Sequence, residues 1–366
     1  MNFKVNNKQL VIMDRKTILL LGISILILLV MLWFVGIDQV LDALKIANLG
    51  IIALAIATQV FTYVLYTLRW QILSRLADMD VSIKNLLPMV LVGLAVNNIT
   101  PSGRGGGEPV RAYLLAKYDD NYHFEDSFAT VVADRALDTF PFVVLAAITI
   151  ASMALFFNFD VWLLVVMVAA VIAIVAVLIV LIYMCINPNF GQRVDGWIIG
   201  LVRRFYKKNS EDLENQIHEA ILGFQDTMKM LISNKKGLAY TLALSFIIWI
   251  FEIIRVYLVF LAFGANVNPI VIGEVFIVAC LVGMIPLLPG GLGAIDGLMI
   301  VFYSAAGIPA SVSAAATVIE RLISFWMTTI IGLVIMPYYG SSVLEKVSST
   351  SSADELEEVA ADEIED

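Results

Sequence analysis

The stretch VWLLVVMVAAVIAIVAVLIVLIYMCI, residues Val161–Ile186, contains no charged side chain and decides the class of fold. It is longer than the roughly 20 residues that an α-helix needs to cross a bilayer. Two further uncharged windows cover residues 17–36 and 49–68. Of the 366 residues, 60% are hydrophobic and only 15% are charged, whereas soluble domains carry about 25% charged residues. The sequence therefore predicts an all-α, polytopic membrane protein.

Five other apolar segments depart from this simple pattern. Residues 128–157, 238–263 and 311–336 contain charged side chains, while residues 86–115 and 269–306 are broken by glycine and proline. Irregular backbone at membrane depth survives only where protein or water satisfies its hydrogen bonds. We therefore expect two re-entrant hairpins or broken helices in addition to about six full spans.

The distribution of lysine and arginine predicts the orientation in the membrane. With this topology and both termini cytoplasmic, 19 of the 23 basic residues lie in cytoplasmic stretches, among them Arg69 and Arg111. Lys45 is the one basic residue in an outer loop, and three arginines lie inside spans. Because cytoplasmic loops are enriched in basic residues, we expect a multi-pass protein of the cell membrane with both termini in the cytoplasm. If residues 269–306 crossed the membrane fully, the loop before the last span would instead be cytoplasmic and the tail would be external.

Residues 1–340 form one predicted transmembrane domain, with a cytoplasmic insert at residues 187–237. In this insert apolar residues recur at helical spacing after Ser210, a predicted N-cap, and residues 194–205 suit a helix on the membrane surface. The simpler alternative is a connector packed on the membrane domain. Residues 341–366 contain nine acidic residues and one lysine, account for most of the net charge of −9, and are predicted to form a disordered tail.

Two distant parts of the chain share a sequence pattern. They are PSGRGGGEPVR (101–111), followed by TVVADRALDTF, and PGGLGAIDGLM (289–299), followed by ATVIERLISFW. Each combines a proline, a glycine-rich turn and an acid with a later acid–arginine dipeptide. The separation in sequence from Glu108 to Asp134 is close to that from Asp296 to Glu320. Because three predicted crossings, an odd number, separate the two units, the pattern predicts an inverted repeat of the kind that transporters use.

The glycine-rich turns indicate an anionic head group as ligand. A helix that begins after such a turn presents free N–H groups to an anion, and arginine suits phosphate because its planar guanidinium binds two oxygens together. The simpler alternative is that the turns only close tight hairpins. The predicted lipid head-group site comprises Asn97, Asn98, Pro101, Arg104, Gly105, Gly106, Gly107, Glu108, Arg111, Pro289, Gly290, Gly291, Gly293 and Asp296.

Charged residues inside the apolar segments form a second predicted set. An arginine at the bilayer centre costs roughly 2.5–3.5 kcal/mol on insertion scales, so such residues need partners. Neighbours in sequence point about 100° apart on a helix, so the acid–arginine dipeptides should contact other elements. Static ion pairing between helices, and an internal pair of Glu252 with Arg255, are alternatives to a functional role. The predicted intramembrane charge network comprises Asp134, Arg135, Asp138, Glu252, Arg255, Glu320 and Arg321.

These motifs also carry a family resemblance. NNITPSGRGGGEPVRAYLL followed by ADRALD, together with PGGLGAIDGL followed by IERLISF, resembles the transmembrane region of lysylphosphatidylglycerol synthases and of stand-alone prokaryotic proteins with the same flippase-like domain. The resemblance covers roughly residues 16–338 and implies movement of a lipid between leaflets, in the synthases an aminoacylated phospholipid. The soluble aminoacyl transferase domain of the synthases has no counterpart here, so the resemblance implies the translocating half alone. Asp296 departs from the family, which usually has glutamate there.

Lipid translocation is therefore the leading hypothesis, with a phospholipid, a glycolipid or a polyprenyl-phosphate-linked head group as ligand. We expect no enzymatic activity, catalytic residue, metal or cofactor, and a membrane lipid rather than a nucleic acid as partner. One alternative is a membrane-embedded transferase that uses a lipid phosphate, with Asp134, Asp138 or Glu108 as base or metal ligand. Another is a non-transporting partner of a lipid or cell-envelope pathway enzyme.

Overall fold

A computed structural model of the chain describes residues 45–100, 106–156, 161–187, 210–265, 267–283 and 294–339. Within these ranges the chain is helical and contains no strand, so the predicted all-α class is confirmed. A helix satisfies its backbone hydrogen bonds within one segment, which lipid requires of a spanning element. Three predicted features lie outside the described residues: the span at residues 17–36, the surface helix at residues 194–205 and the tail at residues 341–366.

In chain order, the helices are α1 (Leu49–Leu76), α2 (Ile83–Ile99), α3 (Gly107–Ala116), α4 (Phe124–Phe156), α5 (Val161–Ile186), α6 (Ser210–Ser233), α7 (Lys235–Ala262), α8 (Pro269–Gly283), α9 (Ala294–Ala305), α10 (Ala310–Arg321) and α11 (Thr328–Ile335). A six-residue π-helical stretch, Leu322–Met327, joins α10 to α11. One 3₁₀ turn, Met336–Tyr339, follows α11.

Within the described ranges, five segments are long and apolar enough to cross a membrane: α1, α4, α5, α7 and the continuous helix from α10 to Tyr339. They coincide with five of the six predicted spans. Asn48 caps the start of α1, because its side chain accepts hydrogen bonds from the N–H groups of Gly50 (3.0 Å) and Ile51 (3.3 Å). α1 continues to Leu76, beyond the predicted end at residue 68, and stops before Asp78, whose φ of 57° is left-handed.

Each segment broken by glycine and proline forms a hairpin of two short helices. α2 and α3 have 17 and 10 residues, and α8 and α9 have 15 and 12, so each is too short to cross alone. α3 returns along α2, because the Gly107 N–H donates to Asn97 Oδ1 (2.7 Å) and the Arg111 side chain lies over Gly93. In the second hairpin, the hydroxyl of Tyr303 on α9 donates to the α8 carbonyl of residue 272 (3.2 Å). The two segments are therefore broken helices, as predicted.

The two hairpins belong to two copies of one helical arrangement. We call α1–α4, residues 49–156, the N-repeat, and α7–α11, residues 235–339, the C-repeat. Three pairs of equivalent helices begin at one constant separation in sequence: Leu49 and Lys235, Ile83 and Pro269, and Phe124 and Ala310. The starts of α3 and α9, Gly107 and Ala294, are one position further apart. The near-constant spacing shows that the repeat extends over four equivalent segments, of which the last in the C-repeat is the continuous helix that begins with α10.

The two repeats run in opposite directions. α1 packs along α7, and the Asn48 N–H at the start of α1 donates to the Ala262 carbonyl at the end of α7 (2.8 Å). Leu76, at the end of α1, lies against Gly237, near the start of α7. Because these equivalent helices are antiparallel, the repeat is inverted, as the sequence predicts.

α6 lies between the repeats in sequence and packs on the start of α4. The hydroxyl of Thr227 donates to the carboxylate of Asp126 (2.5 Å), and the ring of Phe224 lies 6.1 Å from that of Phe128. The predicted helix is present as Ser210–Ser233, so Ser210 lies within the described helix rather than before it as the predicted N-cap. Its contacts with α4 favour the simpler interpretation of this segment as a packed connector.

Candidate functional site

Asp134 on α4 lies at the centre of a charged cluster in the N-repeat. Arg69 of α1 donates from Nε to Asp134 Oδ1 (2.6 Å) and from Nη1 to Asp138 Oδ1 (2.8 Å). The two acids share one face of α4 because they are four residues apart. Arg111 of α3 donates from Nη1 to the second oxygen of Asp134 (3.0 Å). One carboxylate therefore joins α1, α3 and α4.

Arg255 on α7 occupies the equivalent place in the C-repeat. It donates from Nη2 to Glu320 Oε1 on α10 (2.8 Å) and from Nη1 to Glu252, three residues earlier on its own helix. In both repeats the arginine precedes the acid of the dipeptide by 65 residues. The internal pair of Glu252 with Arg255 is thus present, and Glu320 connects it to a second helix.

The arginine of each dipeptide pairs with the acid of its own hairpin. Arg135 donates from Nε to Glu108, and Arg321 Nε lies 2.9 Å from Asp296 Oδ1. Glu108 and Asp296 lie in the first turns of α3 and α9, where the positive end of the helix dipole favours an acid. Asp296 therefore reaches its arginine despite a side chain one methylene shorter than glutamate.

Two reciprocal hydrogen bonds join the repeats through their first helices. Arg69 Nη1 donates to Ser245 Oγ on α7 (3.0 Å), and Arg255 Nη1 donates to Gln59 Oε1 on α1. Gln59 and Ser245 are equivalent positions, because they are separated in sequence by the same interval as the starts of α1 and α7. Each repeat therefore completes the hydrogen bonding of the other repeat's central arginine.

The clusters of both repeats line a single cavity of about 160 Å³. Asn97 and Asn98 of the α2–α3 hairpin also line it. The charged residues of its described wall are five arginines and four acids: Arg69, Arg111, Arg135, Arg255 and Arg321 with Asp134, Asp138, Glu252 and Glu320. Glu108 and Asp296 pair with the wall arginines Arg135 and Arg321, so the whole cluster contains five arginines and six acids, and its charge count selects neither an anion nor a cation.

Arg111 retains two nitrogen atoms that can donate to a ligand. Its side chain is only 5% exposed, yet Nε and Nη2 have no hydrogen-bond partner in the described structure. The guanidinium lies over the ring of Trp70, 4.2 Å from the ring centre, and this cation–π contact fixes its plane. Unsatisfied buried donors are costly, and phosphate oxygens are strong partners for them. Arg111 is therefore a buried residue of the cavity wall with two nitrogen donors that the described structure leaves unused.

The two predicted asparagines have defined structural partners. Asn97 accepts from the first N–H of α3 (2.7 Å) and donates to Glu108 Oε1 (3.1 Å), which fixes the start of that helix. Asn98 donates to the carbonyl of Phe325 (3.2 Å) and to Thr329 Oγ1 (2.9 Å) in the C-repeat. Both asparagines therefore hold the hairpin in place while they line the cavity.

Gly106 and Gly107 are required for packing within the first hairpin. A Cβ atom at Gly107 would overlap the carbonyl of Gly93, and one at Gly106 would overlap the side chain of Thr100. The Gly107 N–H donates to Asn97, so this one group at the helix start already has a partner within the protein. Of the described hairpin groups, the side chain of the arginine on α3 is the one with unused donors that faces the cavity.

Comparison with known proteins assigns the family. The model of the lysylphosphatidylglycerol synthase TM region matches residues 18–332 of the chain. The chain belongs to this family. A UPF0104 membrane protein of Methanothermobacter thermautotrophicus is 50% identical over 335 residues, which cover 92% of this chain and 99% of that protein. A UPF0104 membrane protein of Methanocaldococcus jannaschii is 32% identical over 88% of this chain and 94% of that protein.

The chain is also more distantly similar to a protein that is named as a glycosyltransferase. Glycosyltransferase AglD of Haloferax volcanii is 23% identical over 355 residues, which cover 92% of this chain and 55% of that protein. Nearly the whole of this lysylphosphatidylglycerol synthase TM-region protein is therefore similar to about half of AglD. Together with the described spans, the family assignment makes the chain a multi-pass membrane protein.

The structure brings together every member of the predicted charge network of this family member. Six of the seven residues pair with a residue on another helix, and Glu252 pairs within α7. Within each acid–arginine dipeptide, the acid and the arginine pair with different residues on other helices, as predicted. Seven positions of the predicted head-group site lie outside the described residues: Pro101, Arg104, Gly105, Pro289, Gly290, Gly291 and Gly293.

Arg69 is the main site residue that sequence reasoning missed. The predicted topology places Arg69 and Arg111 in a cytoplasmic stretch, whereas the structure buries both in the cavity wall. For Arg69 the assignment is wrong because α1 continues past residue 68, whereas Arg111 is buried within the hairpin that the sequence predicts. The sequence nevertheless contained a signal for Arg69. Arg69 precedes Arg255 by the same number of residues as Asp134 precedes Glu320, so the repeat makes the two arginines equivalent.

Proposed function

We propose that the chain translocates a phosphate-bearing lipid head group between the leaflets of the cell membrane and acts as a transporter rather than an enzyme. The ligand is a phospholipid, a glycolipid or a polyprenyl-phosphate-linked lipid. The observation that carries the proposal is the buried Arg111, whose Nε and Nη2 are unused in a cavity built by both repeats. A phosphate supplies the acceptors that these donors lack.

The inverted repeat supports transport as the use of this site. A polar head group needs a polar route, because burial of its charges in hydrocarbon is costly. Inverted repeats built around broken helices place a central site between two halves that rock or gate against each other. Here the equivalent hairpins α2–α3 and α8–α9 each carry an acid paired with the dipeptide arginine of the same repeat. Exchange of these pairs for ligand contacts is a physical means of opening either half.

A second candidate function rests on the similarity to AglD, whose name is glycosyltransferase. A role in or beside glycosyl transfer to a membrane lipid uses the same phosphate subsite, with Asp134, Asp138 or Glu108 as the base. A partner of such an enzyme would share the lipid without altering it. The three possibilities differ in whether a lipid moves, reacts or does neither.

Leaflet exchange in reconstituted vesicles tests the proposal. Vesicles with the purified chain and acyl-labelled lipids that carry a phosphate are compared with protein-free vesicles, and we expect faster exchange with the protein. Arg111→Lys keeps the charge but loses the planar fork. It should slow exchange about tenfold or more, since a hydrogen bond to a charged group is worth roughly 1.5–3 kcal/mol.

Arg75→Lys is the matched control, because it makes the same chemical change at a side chain on α1 that is 55% exposed. Exchange should stay at the wild-type rate in this variant. Wild-type exchange in Arg111→Lys contradicts the assigned role of that arginine. A new lipid product formed from a sugar donor supports glycosyl transfer, and neither exchange nor product supports the partner role.

A further inference from the structure

The wall of the cavity differs chemically between the two repeats. The hairpin of the N-repeat contributes the polar side chains of Asn97, Asn98 and Arg111. The position equivalent to Arg111 in the C-repeat is Met299, because each lies three residues after the acid of its hairpin, Glu108 or Asp296. Met299 also lines the cavity. An arginine in one half therefore corresponds to a thioether in the other.

The residues around Met299 extend this apolar wall. Phe276, Ala279 and Cys280 on α8 and Ile295 on α9 line the cavity beside it, and none of these side chains carries an oxygen or nitrogen atom. All are at least nine-tenths buried, with Met299 at 1% and Phe276 at 9% exposure. Buried cysteine and methionine behave as hydrophobic residues. The described part of the C-repeat hairpin, residues 269–283 and 294–305, thus presents an apolar surface to the cavity.

This surface limits which part of a ligand can lie against it. A hydroxyl or ammonium group there would lose its hydration without gaining a hydrogen bond, which is unfavourable. A methylene group forms no hydrogen bonds with water and so loses none when it is buried there, and its burial strengthens binding about fourfold. The N-repeat hairpin, in contrast, offers the unused N–H groups of Arg111. Asn97 and Asn98 line the cavity beside it but are bonded within the bundle, and the unused Nε of Arg255 lies on α7 rather than on the C-repeat hairpin.

We propose that the cavity binds an amphiphile in one fixed orientation, with phosphate on Arg111 and hydrocarbon against Met299 and Phe276. The ligand class is the phosphate ester of an aliphatic alcohol, in which hydrocarbon begins at the phosphate oxygen. A head group with a polar extension beyond the phosphate fits this wall less well. The inference rests on the proposed function and narrows its substrate class.

Calorimetric titration of the full chain in lipid nanodiscs tests the inference, with empty nanodiscs subtracted to remove partitioning. The probes are inorganic phosphate, O-phosphoethanolamine, butyl phosphate and hexyl phosphate. We expect hexyl phosphate to bind about 16-fold more tightly than butyl phosphate, because two methylenes contribute about fourfold each. O-phosphoethanolamine should bind no more tightly than inorganic phosphate.

Two variants at one position separate the apolar wall from the phosphate subsite. Met299→Asn should weaken hexyl phosphate binding at least about tenfold while inorganic phosphate stays within about twofold, since a polar amide replaces buried apolar surface. Met299→Leu, a volume-conserving change, should keep the alkyl preference. Unchanged inorganic phosphate binding also reports that both variants are folded.

The possible failures are distinguishable. Tighter binding of O-phosphoethanolamine than of butyl phosphate, or an alkyl preference that survives Met299→Asn, overturns the inference and leaves the phosphate subsite intact. Failure of wild-type protein to bind any of the four phosphates overturns the inference together with the phosphate site of the proposed function.

Discussion

Arg69 and Arg255 are the residues on which the charge pairing of the whole bundle depends. Their side chains are 1% and 2% exposed. Each arginine forms ion pairs with two acids of its own repeat and donates a hydrogen bond to a polar side chain of the other repeat. A buried ion pair need not add net stability, because desolvation opposes the attraction between the charges. Removal of one partner is costly, however, because it leaves the other charge buried and unpaired.

Arg255→Met should therefore lower the free energy of unfolding by about 3–5 kcal/mol, because Glu252 and Glu320 lose their cation. Equilibrium unfolding in mixed micelles measures the change. Arg75→Met is the control, since the exposed pair of Arg75 with Asp80 is worth about 0–1 kcal/mol. Addition of Glu320→Gln to Arg255→Met should recover part of the loss. Equal effects of the Arg255 and Arg75 changes would show that the buried pairs do not hold the helices.

Sequence reasoning identified the acids of this network but only part of the arginines. A charge in the middle of an apolar window, such as Asp134 or Arg255, is visible because the bilayer makes it expensive. Arg69 lies about two turns before the end of α1, where hydropathy resembles that of a loop junction. Burial of such a residue follows from the packing of α4 and α7 around it, which no local pattern reports.

The π-helical stretch Leu322–Met327 is a second place at which the two repeats are joined, beside the hydrogen bonds between α1 and α7. Asn98 of α2 donates to the carbonyl of Phe325 and to Thr329 Oγ1, on either side of its end. Gly332 in α11 lies so close to α2 that a Cβ atom there would overlap the carbonyl of Leu91. Such helical irregularities occur frequently at functional sites.

Asn98→Leu should lower the free energy of unfolding by about 1–2 kcal/mol, since it removes two hydrogen bonds between α2 and the C-repeat. Thermal unfolding together with the vesicle assay measures the effect, and exchange should also slow. Asn85→Leu, near the other end of α2, is the control because its hydrogen bond to Tyr118 (2.8 Å) is at the surface. Identical melting of the two variants would exclude a special role for the bond to the π-helical stretch.

The hairpins were predictable at the scale of elements, and the π-helical stretch was not. Glycine and proline interrupt the apolar segments that form both hairpins and therefore predict a break in each segment. The segment LISFWM contains neither residue, so its irregular winding has no local signal. Asn98 and Gly332 contact the opposite repeat near this stretch, and such contacts exist only in the folded bundle.

At the scale of the whole molecule, the antiparallel packing of α1 and α7 makes the two repeats face opposite sides of the membrane. The side on which each lies remains a prediction from the basic residues. Removal of the buried Arg69 and Arg111 from the 19 cytoplasmic residues leaves 17 of 23, against Lys45 outside. The bias still favours cytoplasmic termini.

Cysteine labelling on intact cells tests this orientation in a background with Cys185 and Cys280 changed to alanine. Asn266→Cys and Ala310→Cys should react with a membrane-impermeant maleimide from outside, because both positions lie in predicted outer loops. Asp120→Cys, in the exposed turn between α3 and α4, should react only after permeabilisation. Labelling of Asp120→Cys in intact cells would reverse the predicted orientation.

The distance in sequence between Arg69 and its acids sets the order in which the protein can be made. α7 carries Glu252 one turn before Arg255, so it enters the bilayer as a neutral pair. α1 has no such partner in its own helix, since Asp134 and Asp138 follow Arg69 by 65 and 69 residues. An unpaired arginine costs roughly 2.5–3.5 kcal/mol on insertion. We therefore expect α1 to stay beside the insertion machinery during translation until α4 has emerged, so that the first four helices enter the lipid together.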